Sequence, residues 1–365
     1  MDSERNDYSQ PGFSSEDRPP VPAQPPQANP PYSPYPSYQP YPQPPRRRFS
    51  GWRVLWGILF GLSVLANVGL FLLLVGTVFV LAGAGAGYGA TVLREGPRSS
   101  RIAVINIEGI IDESQADNVY RQLKSAREDD AIKGVIVRVN SPGGTISASD
   151  RIYREIMDYR NEQGLPTVAF MQGMAASGGY YASVACDEII AEPTAITGSI
   201  GVILSHFVFQ ELLENKLGIQ PVFLTKGQKK DWPSSFRAPS EEELAYINDR
   251  LLEPAYQRFV SVVKEGRRKV LTGDEVTKLA DGSIFVAEEA VTVKLIDRTG
   301  YLDDAIARVK ASAGINKAQV IEYRRPLSFM DVLTAESRKT SLLSLDHTKL
   351  LELGSPKVLY LWHAY

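Results

Sequence analysis

The hydrophobic pattern divides the chain into three stretches. Residues 1–48 carry almost no aliphatic position. From residue 54 to about residue 86 the apolar run VLWGILFGLSVLANVGLFLLLVGTVFVLAGAGA is unbroken by charge. Beyond it, short β-branched runs alternate with amphipathic segments. A bilayer core of about 30 Å takes about 20 helical residues, so the apolar run predicts one transmembrane helix over residues 54–81, followed by a small-residue exit. It is too long, and begins too late, to read as a cleaved leader. In the third stretch, strands are predicted at 101–107, 134–139, 167–171, 188–191 and 222–225. Helices are predicted at 115–127, 147–161 and 207–217. A longer one runs from Ser240 towards Arg268, with Glu243 completing a capping box. This alternation predicts an α/β domain with a mainly parallel sheet over residues 98–325. A C-terminal extension, 326–365, holds apolar LLSLDHTKLLEL and KVLYLW, read as a peripheral helix and strand or as a subunit-contact arm.

Composition sharpens this division. Most of the 24 prolines lie in residues 1–48, interleaved with Tyr8, Tyr32, Tyr35, Tyr38 and Tyr41. Such a segment cannot offset the entropy of ordering and reads as a disordered, polyproline-rich tail, either a tether or a docking site. The net charge of -2 gives no electrostatic case for a nucleic-acid partner. One cysteine, Cys186, and three scattered histidines, His206, His347 and His363, leave no metal site or cofactor to expect. Arg46, Arg47, Arg48 and Arg53 crowd the start of the apolar run, whereas Arg94, Arg98 and Arg101 follow at a distance. That bias predicts a cytoplasmic tail and an extracytoplasmic domain on a single-pass cell-membrane protein.

Two glycine-bearing turns could carry chemistry. Asn140-Ser141-Pro142-Gly143-Gly144 sits between a strand and a helix, where it is either a plain connection or a source of free N–H groups for an oxyanion. Met174-Ala175-Ala176-Ser177-Gly178-Gly179-Tyr180 puts Ser177 at a helix start, either as an N-cap or in a setting like a nucleophile elbow. A serine nucleophile needs a base, and histidine is scarce here. A desolvated lysine can replace it, and Lys226, Lys229 and Lys230 follow a predicted strand, although loop lysines are ordinarily solvated.

Together, RIAVINIEGII, VNSPGG, MAASGGYY, EPTAITGSIGVI, KKDWPS and LTGDEVTKLADGSIFVAEEAVTVKLID occur in an order that resembles the signal peptide peptidase A family of serine–lysine peptidases, in its shorter single-catalytic-domain form. The resemblance spans residues 101–323 and implies a Clp-protease/crotonase-like superfold. It implies Ser177 as nucleophile and Lys230, before Asp231, as a base kept neutral by burial, with Lys229 an adjacent alternative. Ser199 would orient the lysine, and Gly144 and Gly178 would donate backbone N–H groups to the oxyanion. It further implies peptide substrates such as remnant signal peptides, and a homo-oligomer whose adjoining subunits complete the groove. Two other readings are a catalytically idle membrane scaffold that recruits partners through its tail, and a crotonase-type acyl-CoA enzyme. The serine–lysine set speaks against the first, and the anchor with that set against the second.

Overall fold

The computed structural model describes residues 51–84, 89–324 and 357–362. The predicted tail 1–48 and most of the extension 326–365 lie outside the described residues. The chain divides between Asn67 and Val68 into two units. Helix α1 (Gly51–Ala84) runs across that division. Its Gly51–Val78 portion is apolar and unburied, with the length to cross a membrane. The few polar side chains turn onto the helix itself: Asn67 Nδ2 donates to Ser63 O at 2.7 Å and Thr77 Oγ1 to Leu73 O at 2.7 Å.

The second unit is built on a mainly parallel sheet. Its strands are β1 (Gly89–Arg94), β2 (Arg101–Glu108), β3 (Ile132–Ser141), β4 (Gly143–Thr145), β5 (Thr167–Ala176) and β6 (Glu188–Ala191). They continue with β7 (Ile196–Gly198), β8 (Ile203–Ser205), β9 (Ile284–Val286), β10 (Arg298–Thr299), β11 (Gln319–Arg324) and β12 (Lys357–Leu361). The order β1-β11-β2-β3-β5-β6-β10 is parallel throughout except at edge strand β1. Farther along β5, β7 pairs with it in parallel, and β9 closes on β7 antiparallel. A separate sheet, β4-β12-β8, is antiparallel.

The helices after α1 are α2 (Glu113–Arg127), α3 (Ile146–Gln163), α4 (Gly178–Ser183), α5 (Glu241–Ile247), α6 (Glu253–Arg267), α7 (Gly273–Leu279), α8 (Ala287–Thr292) and α9 (Leu302–Ser312). Strands with both faces covered must be apolar at successive positions. Ala103, Ile105 and Ile107 of β2 join Val135, Val137 and Val139 of β3 in the core shared with α2, α3, α4 and α6. Ile102, Val104, Ile136, Val168 and Phe170 face the other way, onto Ala305, Ile306 and Val309 of α9.

Several boundaries differ from the sequence expectation. The sheet begins before residue 98, because β1 pairs with β11. Residues 222–225 form no strand: their apolar side chains meet no free sheet edge, and Leu224 is 96% exposed. Over 207–217 the helix shrinks to little more than a wide π turn at Leu212–Lys216. The long helix from Ser240 forms with its capping box, but a π turn at Asn248–Leu252 separates α5 from α6. Within KVLYLW, Lys357–Leu361 is not peripheral but fills the middle of the small sheet.

Candidate active site

The NSPGG turn carries the chain from β3 into β4. Ser141 Oγ accepts from Gly143 N at 3.0 Å, and Gly143 adopts φ +102°, a conformation suited to glycine. Ile111 N donates to Gly143 O at 2.9 Å, and Thr145 N donates to Ile111 O at 2.8 Å. Because strand groups alternate in direction, Gly144 N is turned away from Ile111. A methyl group on Gly144 would run into the Ile111 carbonyl.

Ser177 links β5 to α4 with φ +53° and ψ −114°. Such a conformation costs about 1–3 kcal/mol in a non-glycine residue and persists only where its surroundings fix it. Here Ser177 N donates to Gly198 O at 2.8 Å, Tyr181 N donates to Ser177 O at 2.8 Å, and Thr197 Oγ1 holds Ala175 O at 2.7 Å. The Ser177 side chain makes no capping bond to α4, so the plain N-cap role is not the one it fills. The residue is nevertheless buried. Gly178 packs directly on the turn after β3: a Cβ there would strike Ser149 Oγ and lie 3.2 Å from Gly144 N. The two glycines named from sequence therefore lie against each other beside Ser177.

Ser199 arrives by the same logic. Ala176 and Gly198 are partners in the β5/β7 pairing, so Ser177 and Ser199 leave adjacent strands side by side. Ser199 is also left-handed, at φ +51°, with its N–H on Ser283 O at 2.7 Å. Nothing in the sequence announces either backbone conformation.

Lys230 is placed differently. It lies exposed in the segment after β8, and among the described residues no hydrogen bond joins it to Ser177 or Ser199. The expectation that this chain buries the lysine is thus corrected, because its loop extends without a covering element. Lys229 is occupied elsewhere: its Nζ lies 4.6 Å over Trp232, 4.1 Å over Tyr246 and 3.7 Å from Glu242. Arg237 ties the loop down by bridging Asp231 and buried Glu243. Burial alone would raise the Glu243 carboxyl, but Arg237 and the Ser240 N–H hold it below its usual range.

Other nucleophile and base candidates fit poorly. Burial pushes the Cys186 thiol up, away from thiolate. His206 engages Ser234 O at 3.1 Å through Nε2. His347 and His363 lie outside the described residues. Sequence reasoning missed the part played by β12, which lies between β4 and β8. The alternation in KVLYLW was the available signal.

A family model described as peptidase family S49 matches residues 159–316, and one described as the NfeD1b N-terminal domain matches residues 101–207. An Enterococcus faecium protein provisionally named signal peptide peptidase SppA is 37% identical over 243 residues, covering 64% of this chain and 69% of that protein. A provisionally named protease of Methanocaldococcus jannaschii is 33% identical over 239 residues, covering 62% of this chain and 75% of the relative. Protease 4 of Haemophilus influenzae is 34% identical over 227 residues, but that match covers 36% of its length.

Proposed function

We propose that this chain, which belongs to peptidase family S49, is a membrane-anchored serine endopeptidase that cleaves peptides held in an extended conformation. The observation carrying the reading is Ser177: a buried, left-handed serine whose hydroxyl does not cap its helix, beside the convergent Gly144 and Gly178 backbones. In this reading neutral Lys230 Nζ takes the Ser177 Oγ proton as Oγ attacks the peptide carbonyl carbon. The tetrahedral oxygen is held by the N–H groups of Gly144 and Gly178. Lysine then protonates the departing amine, and water, deprotonated in turn, cleaves the acyl ester. Ser199 orients the lysine amine without adding charge.

A lysine acts as a base only in its neutral form, which desolvation favours. With Lys230 exposed in one copy, a second copy has to cover it. Phe207, Leu212, Leu217, Val222, Phe223 and Leu224, all exposed in the same stretch, supply apolar surface for that contact. Helix α1 would anchor the enzyme, and Arg46, Arg47, Arg48 and Arg53 would keep the tail cytoplasmic and the domain extracytoplasmic. Remnant signal peptides, the class in the name of the Enterococcus faecium relative, are then the expected substrates.

The test is covalent labelling of the detergent-solubilised full chain with a fluorophosphonate, mapped by mass spectrometry. The expected adduct sits on Ser177, with peptidase activity lost in step. Labelling at another serine, or full activity in Ser177→Ala, would overturn the reading.

A further inference from the structure

A single peptide unit, Gly198–Ser199, stands between Ser177 and the turn behind it. The Gly198 carbonyl accepts from Ser177 N at 2.8 Å. At the other end of the same planar unit, Ser199 N donates to Ser283 O at 2.7 Å. Both residues of the unit are left-handed, Gly198 at φ +86° and Ser199 at φ +51°. At Ser199 that conformation persists only because its surroundings impose it. There is no slack at Gly198, where a Cβ would strike the Phe285 ring and lie 2.9 Å from Ser283 O. β9 supplies these contacts, since Ile284 pairs with Gly198 and Phe285 with Thr197. The segment that leads into β9 therefore sets how the Gly198–Ser199 unit is turned.

That segment is Asp281-Gly282-Ser283. Asp281 Oδ1 accepts from Ser283 N, two residues on, at 2.9 Å, which closes an Asx turn. Gly282 sits inside the turn at φ +87°. Bonds from the Ser283 hydroxyl and N–H hold the Asp281 carboxyl below its usual range, so the acceptor is the anion. A charged acceptor makes the stronger hydrogen bond. Asp281 is exposed, and among the described residues it forms no ion pair. Its bond to the turn is the contact that the sequence spacing alone did not reveal. Asp281 and Ser199 also line one cavity of about 450 Å³, so substrate contact is the alternative use of this carboxylate.

We propose that Asp281 is a positioning residue for the peptidase reaction: its carboxylate fixes the turn whose Ser283 carbonyl orients the Gly198–Ser199 peptide, and through that peptide the Ser177 backbone and the Ser199 side chain. The proposal rests on the peptidase reading of Ser177. The bonds at the two ends of one peptide unit polarise each other and share its plane. Loosening Ser283 O frees that plane to rotate, which carries the Gly198 carbonyl off the Ser177 N–H. A small displacement of a nucleophile is costly in rate even when the change lies away from the chemistry.

The experiment compares the full chain in detergent with its Asp281→Ala and Asp281→Asn variants. Asparagine keeps the Oδ1 acceptor and loses the charge. Asp281→Ala should lower kcat on a peptide about 10-fold with KM retained, and slow fluorophosphonate labelling of Ser177 to the same extent. Amide deuterium exchange in fragments covering residues 174–181 and 196–200 should be about 5-fold faster, read by mass spectrometry. Asp281→Asn should return kcat, labelling and exchange to within about 3-fold of the parent. Equal losses in both variants would show the charge at work rather than the turn, and a change confined to KM would show contact with substrate from the cavity. Either result overturns the proposal, as does unchanged exchange in Asp281→Ala. An active parent beside an Asp281→Ala variant of equal kcat overturns it alone and leaves the peptidase reading standing. A parent that neither cleaves peptide nor labels at Ser177 overturns that reading, and the positioning role with it. If circular dichroism shows Asp281→Ala unfolded, Gly282→Ala disturbs the same turn, because its Cβ meets no neighbouring atom but is strained at φ +87°. It should lower kcat with KM retained, and an unchanged kcat counts against the proposal.

Discussion

The surroundings of Ser177 and the segment that carries Lys230 are built in opposite ways. Around Ser177, strained backbone is locked by hydrogen bonds to β7 and from the buried helix α4, and the serine is shielded within its own chain. The Lys230 segment, residues 206–239, has little regular structure, exposes large apolar side chains and is tied to α5 by Lys229, Trp232 and Arg237. The first region is held by internal contacts, whereas Lys230 lies outward among exposed apolar side chains. In the proposed reading, one region is fixed within the chain and the other offers exposed surface for a contact.

The most severe way to break this contrast is at its rigid end. Ser177→Ala is expected to lower kcat/KM for a peptide substrate by about 10⁴-fold or more, with the thermal midpoint nearly unchanged. Progress curves and thermal melts on the same preparation check both halves. On the exposed side, Lys230→Met should cost about 10³-fold, against less than about 3-fold for Lys229→Met, whose amine is held by Trp232, Tyr246 and Glu242. Assaying the two variants in parallel decides the register, and the opposite ranking would move the base by one residue.

Ser199 tests whether the two regions work together. Ser199→Ala should reduce kcat by about 10- to 100-fold with KM retained, the scale of one hydrogen bond to a developing charge. A change confined to KM would show that Ser199 contacts substrate instead. The smallest effect is structural. Arg237→Ala leaves Glu243 buried without its cation and should destabilise the domain by about 1–2 kcal/mol, less than a fully buried pair because Arg237 is partly exposed. The folded-state Glu243 carboxyl lies below its ordinary value, so its contribution is present above that range and is lost as pH falls through the lowered value. Urea unfolding from neutral to acid pH should show the variant losing less stability on acidification than the parent.

Strand and helix order, the apolar helix, the capping box at Ser240 and the two glycine turns were legible in the sequence. Local periodicity, charge and turn chemistry determine each of these without reference to distant residues. The motif order was enough to name Ser177, Ser199, Gly144, Gly178 and Lys230 as candidates. The failures lie where a segment's fate depends on what it meets. VFLT at 222–225 has strand composition but no edge to join, whereas KVLYLW, read as a peripheral strand or a subunit-contact arm, finds two edges and becomes the centre of a sheet. Only the tertiary structure brought Gly144 against Gly178, set Ser177 and Ser199 left-handed on paired strands and engaged Lys229 with two rings. Sequence patterns fix what a segment prefers locally, but pairing partners, covered faces and backbone strain are set by contacts between residues far apart in the chain.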